Sequence, residues 1–270
     1  MPPLHAVVSS VPEVAPHVVA LLLLAAFSAG WVDAVVGGGG LIQLPALLIA
    51  FPQAAPVHLL ATNKLSSVMG TTTSATTFVR RVRLDWRTAL PLALAAFAGS
   101  LIGAVIASHI PRSAFNPVIL LALVLVATTV LARPRMGAET LLRHTGARHY
   151  GLATLAGFGI GIYDGALGPG TGSFFVFALV GLLGYGFLEA SAKAKLANVA
   201  TNVGSLLIFI PQGVAWWRLG AAMGLANVLG GYLGARTAVA KGSGFIRAIF
   251  LVVVTAFILR IGYDTFAQLD

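Results

Sequence analysis

A pattern of ionisable residues occurs twice in this chain at one constant offset. Each copy contains an aspartate, a lysine and a Trp-Arg pair, and matched positions lie 131 residues apart: Asp33 and Asp164, Lys64 and Lys195, Trp86 and Trp217. A gapless alignment of 33–104 with 164–235 also matches many apolar and small residues. Shared charged and aromatic residues in register are far less frequent by chance than shared Leu or Ala, so the pattern indicates a tandem duplication.

The surroundings of these charges favour a membrane protein. The 270 residues are 58% hydrophobic and only 9% charged, whereas soluble domains carry about 25% charged residues. The net charge of +9 comes from Lys and Arg in short loops between apolar runs, which is the pattern of cytoplasmic loops. It does not predict nucleic-acid binding, because no basic stripe with interleaved aromatic residues is present.

Ten apolar segments predict an all-α polytopic membrane protein. They cover 14–36, 39–51, 56–80, 88–109, 113–132, 149–166, 169–184, 188–210, 217–239 and 244–263. A full crossing needs about 20 residues. The second and seventh segments are shorter and follow Gly-rich stretches, so they are either tilted spans or half-helices that dip into the membrane. About eight to ten segments therefore cross.

The repeats define the predicted organisation: a first transmembrane repeat 1–132, a cytoplasmic linker 133–148 and a second transmembrane repeat 149–270. If all ten segments cross, the basic loops after the third, fifth and ninth segments share the cytoplasmic side, and both termini are periplasmic. If segments two and seven only re-enter, the loop 241–247 moves outward, which fits the charges less well.

Five segments per repeat is an odd number, so the second repeat is expected to insert with opposite topology. Inverted repeats of this kind form many secondary transporters, whose substrate site lies near the midplane at the repeat interface. Lys64 and Lys195 are each about two turns into their segments, about 12 Å at 1.5 Å per residue. They would then approach the midplane from opposite sides.

The Gly-rich stretches Gly37–Gly40 and Gly168–Gly172 predict breaks between helices. A helix that begins after such a break points unpaired N–H groups and a partial positive charge into it, which suits an anion. Close helix packing is the alternative, but it needs fewer consecutive glycines. The predicted anion-binding residues are Gly39, Gly40, Gly170, Thr171 and Gly172.

The lysines and their polar neighbours extend this predicted site. Lys64 and Lys195 would bind an anion through buried ammonium groups, whereas the alternative is that they snorkel to the membrane surface. Asn63 adjoins the first lysine, and Asn198 and Asn202 share a helix face with the second. A polar face inside a bilayer must line protein or water, which favours the site.

Asp33 and Asp164 have several interpretations that the sequence leaves open. They could carry protons, bind a coupling cation, act as counter-ions to the lysines, or form structural salt bridges with them. Two membrane aspartates also raise the hypothesis of an intramembrane aspartyl hydrolase. The symmetric positions of the two residues and the absence of a Gly-x-Gly-Asp motif argue against it.

Five stretches resemble the sulfite exporter TauE/SafE family, also called the toluene-sulfonate uptake permease family. They are AGWVDAVVGGGGLIQLPALL (29–48), ATNKLSSVMGT (61–71), GIYDGALGPGTGSFF (161–175), KLANVATN (195–202) and LGGYLGAR (229–236). They look most like its branch of probable membrane transporters without assigned substrate. The resemblance implies an inner-membrane permease for sulfur-containing or organic anions such as sulfite, sulfonates or sulfoacetate.

These observations predict a transporter and not an enzyme. The expected partners are a small anionic substrate, the lipid bilayer and a coupling ion, either H⁺ or Na⁺, without nucleic acid. No cofactor or metal is expected, because Cys is absent and the six His show no ligand spacing. Substrate identity, transport direction and oligomeric state, including a homodimer, stay open.

Overall fold

A computed structural model describes residues 15–107, 109–110, 137 and 139–266. Every regular element within these residues is helical. The helices are α1 (Pro16–Val36), α2 (Gly40–Ala50), α3 (Pro56–Val79), α4 (Trp86–Ala107), α5 (Gly146–Ala166), α6 (Thr171–Ala178, continued by a π-helical turn Leu179–Leu183), α7 (Phe187–Phe209) and α8 (Trp217–Phe266). The predicted fifth segment, 113–132, lies outside the described residues.

The distribution of side chains suits a helical bundle in lipid. Among the described helices, α1 and α4 are long and apolar enough to cross a membrane, and α2 and the 171–183 segment are shorter apolar helices. Large apolar side chains such as Leu21, Leu94 and Leu225 are 62%, 60% and 64% exposed, while Lys64 and Lys195 are buried. An apolar exterior around a polar interior favours a membrane protein.

Two contact lines of small residues hold the bundle together. Cβ atoms placed on Gly230 and Gly234 of α8 would come within 1.9 and 2.5 Å of the carbonyl oxygens of Phe27 and Trp31 in α1. The later glycine contacts the later residue of α1, so α1 and the first half of α8 run parallel.

The second contact line joins α4 to α5 in the same way. Cβ atoms on Gly99 and Gly103 would come within 2.2 and 2.1 Å of the carbonyl oxygens of Phe158 and Ile162. Each residue in this line is 131 positions away from a residue of the first line. Both Gly-xxx-Gly pairs are therefore close helix contacts, at which a side chain would not fit.

The break after α1 turns the chain back. Phe51, just after α2, packs its ring at 4.7 Å on Trp216, just before α8, whereas Gln43 near the start of α2 accepts a hydrogen bond from Asn227 farther along α8. Hence α2 runs opposite to α8 and to α1. At 11 residues it is about 16 Å long, too short to cross a core of about 30 Å.

The break after α5 has the same consequence. Tyr185 follows α6, and its hydroxyl donates to Asp85, which directly precedes α4. The same hydroxyl lies 3.0 Å from Nε2 of His149 in the first turn of α5. The 171–183 segment therefore returns to the end of the bundle at which α5 begins.

Of the two interpretations of the short segments, the structure supports half-helices. α2 returns toward the end of the bundle at which α1 begins. Two full crossings would also return the chain to that end, so the helices that follow have the same direction in both cases. The start of the loop 241–247 lies beside the first turn of α7, so re-entry does not move this loop to the other end of the bundle, contrary to the sequence-based expectation.

The last helix contains a further turn. Gly242 has φ 71° and ψ −168° inside α8, which interrupts the helix between the predicted ninth and tenth segments. The amide of Leu188, in the first turn of α7, donates to Ser243 Oγ. The side chain of Val253 faces Gly38 in the centre of the bundle, so the second half of α8 runs back toward the centre.

Candidate functional site

A cavity of about 20 Å³ lies where the two Gly-rich breaks meet α3 and α7. A space of this size holds about one water molecule. Its lining is polar and comes from both repeats: Asp33, Gly37, Gly40, Asn63, Lys64, Ser67, Thr71, Asp164, Gly168, Gly170, Thr171, Gly172, Asn198 and Asn202. We call it the central cavity.

The backbone at the breaks requires glycine. Gly37, Gly168 and Gly170 have φ of 81°, 87° and 79°, values that other residues rarely adopt. A Cβ on Gly37 would lie 2.2 Å from the carbonyl carbon of Gly172. The amide of Ser173 donates to the carbonyl of Gly37 at 3.0 Å, so the two breaks pack directly against each other.

Both half-helices begin at the central cavity. α2 starts at Gly40 and α6 at Thr171, two residues that line it and lie 131 positions apart. The first N–H groups of a helix have no acceptor within that helix and carry a partial positive charge. The two half-helices lead away to opposite ends of the bundle, so both positive ends face one space.

Each buried lysine pairs with the aspartate of the other repeat. Lys64 Nζ donates to Asp164 Oδ2. Lys195 Nζ donates to Asp33 Oδ2 at 3.0 Å and also to the Asp33 carbonyl oxygen. The two pairs are equivalent under the offset, because Lys195 lies 131 positions after Lys64 and Asp164 lies 131 positions after Asp33.

Burial decides against the snorkelling interpretation. The side chains of Lys64 and Lys195 are 2% and 0% exposed, so neither ammonium group reaches a surface. Charges removed from water are tolerated only when they are paired and hydrogen-bonded. The two lysines and two aspartates therefore form one mutually dependent set around the central cavity.

The repeats also meet through a pair of equivalent residues. Asn202 Nδ2 lies 3.3 Å from Thr71 Oγ1, and these two residues are themselves 131 positions apart. Thr71 also donates to the carbonyl of Ser67. Sequence reasoning did not include Thr71 or Ser67 in the site, although the offset from Asn202 would have identified Thr71.

Ten of the twelve predicted site residues line the central cavity. The two exceptions are Gly39 and Lys195. Lys195 acts on the cavity through its contacts with Asp33. Gly39 packs against α1, where a Cβ would lie 2.6 Å from the carbonyl oxygen of Ala29. The residues not predicted as members are Gly37, Ser67, Thr71 and Gly168.

A second buried polar cluster lies outside the cavity, at the end where α4, α5 and α7 begin. Asp85 Oδ2 accepts hydrogen bonds from Tyr185 at 2.8 Å and Thr88 at 2.6 Å. His149 Nε2 lies 3.0 Å from both hydroxyls. Lys193 Nζ stands 3.8 Å from the centre of the Tyr185 ring.

Lys193 adds a buried positive charge to this cluster. Its side chain is 0% exposed, and its ammonium group lies 3.8 Å from the Glu189 carboxylate. Burial by itself raises the pKa of Asp85, yet the hydrogen bonds from Thr88 and Tyr185 and the charge of Lys193 together bring it below its ordinary value.

Metal binding has no support in the part of the chain that the structure describes. No group of three or more His, Cys, Asp or Glu side chains there could hold an ion. The groups that line the central cavity are an ammonium group, carboxylates, amides, hydroxyls and helix N-termini.

This chain is similar to a known protein family over most of its length. Residues 22–261 match the family model described as "Sulfite exporter TauE/SafE". "Probable membrane transporter protein ORF9" of Sinorhizobium sp is 36% identical over 253 residues, which cover 93% of this chain and 95% of that protein. No solved structure matches the chain.

Two further relatives carry similar descriptions. "Probable membrane transporter protein YfcA" of Escherichia coli (strain K12) is 33% identical over 94% of this chain and 93% of that protein. A "Probable membrane transporter protein" of Haemophilus influenzae is 31% identical over 93% and 97%. With a polytopic helical fold and a family match over most of its length, the chain is a multi-pass membrane transporter that belongs to the sulfite exporter TauE/SafE family.

Proposed function

We propose that this protein is a secondary transporter that carries a small anion across a bacterial inner membrane by alternating access. One observation carries the proposal: buried Lys64 and the N-termini of two half-helices line a single cavity, which the second buried lysine, Lys195, adjoins through Asp33. Ammonium groups and helix N-termini both stabilise negative charge. Ionisable residues inside a membrane protein commonly mark a substrate path.

We further infer that the two halves are inverted repeats. α3 ends at the end of the bundle where α4 begins. α7 begins at that same end, so α3 and α7 run in opposite directions. The exchange of Lys–Asp partners between halves and the contact of Thr71 with its equivalent Asn202 support a twofold relation. In inverted-repeat transporters the halves exchange conformations to open the site to each side in turn.

The end that contains residues 80–85 is assigned to the cytoplasm. Arg80, Arg81, Arg83 and Arg87 are exposed there, and cytoplasmic loops carry an excess of Lys and Arg. The start of α1 and the end of α8 then lie on the periplasmic side. The proposed location in the inner membrane and the proposed orientation are independent of which substrate is transported.

The proposed substrate class is a small sulfur-containing or organic anion, such as sulfite, a sulfonate or a sulfoacetate-like compound. The lining of hydroxyl, amide and ammonium groups suits several acceptor oxygens on one compact anion. The cavity of about 20 Å³ is smaller than any of these, so binding requires the broken helices to separate. Movement of this kind is the ordinary step of alternating access.

The alternative, an intramembrane aspartyl hydrolase, has no supporting observation. In such enzymes two carboxylates lie close together and share a proton. Here Asp33 and Asp164 are each engaged by a different lysine. Peptide cleavage that disappears in Asp164→Asn would be needed to revive this hypothesis.

Transport in proteoliposomes tests the proposal. Uptake of radiolabelled sulfite, thiosulfate and methanesulfonate is compared between the unmodified protein, Lys195→Ala and Lys241→Ala. Lys241 is an exposed lysine on α8, so its replacement controls for loss of a positive charge. We expect uptake to be lost only in Lys195→Ala; equal uptake in both variants would reject the assigned site, and no uptake of any anion by the unmodified protein would reject the substrate class.

A further inference from the structure

The ionised groups around the central cavity sum to zero. Lys64 and Lys195 contribute two positive charges, and Asp33 and Asp164 contribute two negative charges. Lys195 adjoins the cavity through Asp33, and the described lining contains no Lys, Arg, Asp or Glu besides Lys64, Asp33 and Asp164. A bound anion that is buried needs a compensating positive charge. A site built for an anion alone would therefore be expected to keep a net positive charge when the anion is absent.

An anion that enters this site must therefore replace a carboxylate. Both lysines already donate to carboxylates, and the cavity holds about one water molecule at its present size. If one aspartate takes up a proton, its side chain becomes neutral and releases its lysine. The set then carries one positive charge, and a bound monoanion restores the sum to zero.

The two aspartates are not equivalent in this respect. The side chain of Asp33 is 13% exposed, whereas that of Asp164 is 4% exposed. Lys195 donates to the Asp33 backbone carbonyl as well as to its carboxylate. That lysine therefore keeps one acceptor when the Asp33 carboxylate is neutralised, whereas the only described acceptor of Lys64 is Asp164.

We propose that Asp33 carries a proton that moves together with the anion, one proton for each monoanion, while Asp164 stays ionised as the fixed counter-ion of Lys64. The proposal rests on the anion transport proposed above and names its coupling ion. On loading, the Asp33 carboxylate takes a proton and Lys195 binds the anion. On release the anion leaves, the proton leaves Asp33, and Lys195 pairs with the carboxylate again.

The surroundings of Asp33 contain few other groups that could take this role. The charged residues that face it are Lys195 from α7 and Lys64 from α3, with Asp164 of α5 across the cavity. α2 and the 171–183 segment contain no ionisable side chain. Arg236 of α8 is exposed and donates to Tyr232.

Methanesulfonate is a suitable probe for the coupling, because it is a monoanion that stays ionised across the working pH range and so cannot carry a proton through the lipid as a neutral acid. Proteoliposomes contain a trapped pH indicator, and their voltage is clamped with potassium and valinomycin. An inward gradient of labelled methanesulfonate is imposed, and anion uptake and luminal pH are recorded together. We expect acidification in step with uptake, at one proton per methanesulfonate.

Variants assign the proton to a residue. Asp33→Asn should lose acidification and net uptake but keep exchange of labelled for unlabelled methanesulfonate, since Asn resembles a permanently protonated Asp. Asp33→Glu should restore acidification. Asp164→Asn should lose exchange as well, because Lys64 loses its partner. If Asp33→Asn does not fold, the unmodified protein and Asp33→Glu still measure the coupling.

The outcomes separate the two proposals. Anion uptake by the unmodified protein without acidification would overturn proton coupling and leave anion transport intact. Acidification that persists in Asp33→Asn, or that depends on Asp164 instead, would overturn the assignment to Asp33. If neither methanesulfonate nor thiosulfate enters, the proposed function fails, and the coupling fails with it.

Discussion

Lys64 of α3 and Asp164 of α5 form an ion pair that joins the two halves of the chain across 100 positions of sequence. Their side chains are 2% and 4% exposed, so neither charge has access to bulk water. Lys195 and Asp33 form the second, related pair. Because the pairs are exchanged between repeats, each half of the protein supplies the counter-charge of the other.

Breaking this pair on one side should destabilise the fold strongly. Lys64→Met leaves the Asp164 carboxylate buried without a partner, which costs about 3–5 kcal/mol of unfolding free energy. The double variant Lys64→Met/Asp164→Leu should be more stable than either single variant, because no unpaired charge remains. Thermal unfolding of the purified protein in detergent measures this, and additive effects of the two substitutions would contradict the pairing.

The break at Gly37 should not tolerate a side chain. Gly37→Ala places a Cβ 2.2 Å from the carbonyl carbon of Gly172 at a φ of 81°. The strained backbone alone costs about 1–3 kcal/mol, and the clash adds to it. Gly213→Ala is the matched control, since Gly213 has φ 68° with nothing within 4 Å. Equal midpoints of thermal unfolding for both variants would show that the two breaks do not pack as described.

Two glycines on the α4–α5 pair should respond in opposite directions. Gly103→Ala would bring a Cβ within 2.1 Å of the carbonyl oxygen of Ile162 and force the helices apart, so it should lower the midpoint of thermal unfolding. Gly159→Ala meets nothing within 4 Å and should raise stability by about 0.5–1 kcal/mol, the helix preference of Ala over Gly. A stabilising Gly103→Ala would contradict this interface.

Acid should weaken the protein through Asp85. Its pKa in the folded protein lies below the ordinary value of 3.8, so the unfolded chain binds the proton more readily. The stabilisation is complete above the ordinary value and is lost as the pH falls through the lower, folded value. The midpoint of thermal unfolding should therefore drop less between pH 5 and about 3 in Asp85→Asn than in the unmodified protein, and parallel curves would contradict the assignment.

Much of the central site could be predicted because its residues are unusual where they occur. Aspartate, lysine and consecutive glycines stand out in apolar sequence, and the 131-residue offset marks them twice. Thr71 and Ser67 are marked only by their offset from Asn202 and Asn198 and not by residue type, since hydroxyl side chains in membrane helices usually bond their own backbone, as Thr71 also does here. The burial of Lys193 was missed because its partner Tyr185 precedes the helix and could not be placed from periodicity.

The sequence by itself determined the 131-residue offset, the helical membrane class and the positions of the Gly breaks, because these follow from residue type and spacing along the chain. Only the tertiary structure decided that Lys64 pairs with Asp164 and not with Asp33, and that α2 and α6 turn back where they do. Partner choice depends on the direction in which α3 and α7 cross the bundle and on backbone contacts between the two breaks. Those relations join residues about a hundred positions apart, where linear spacing carries no information about distance.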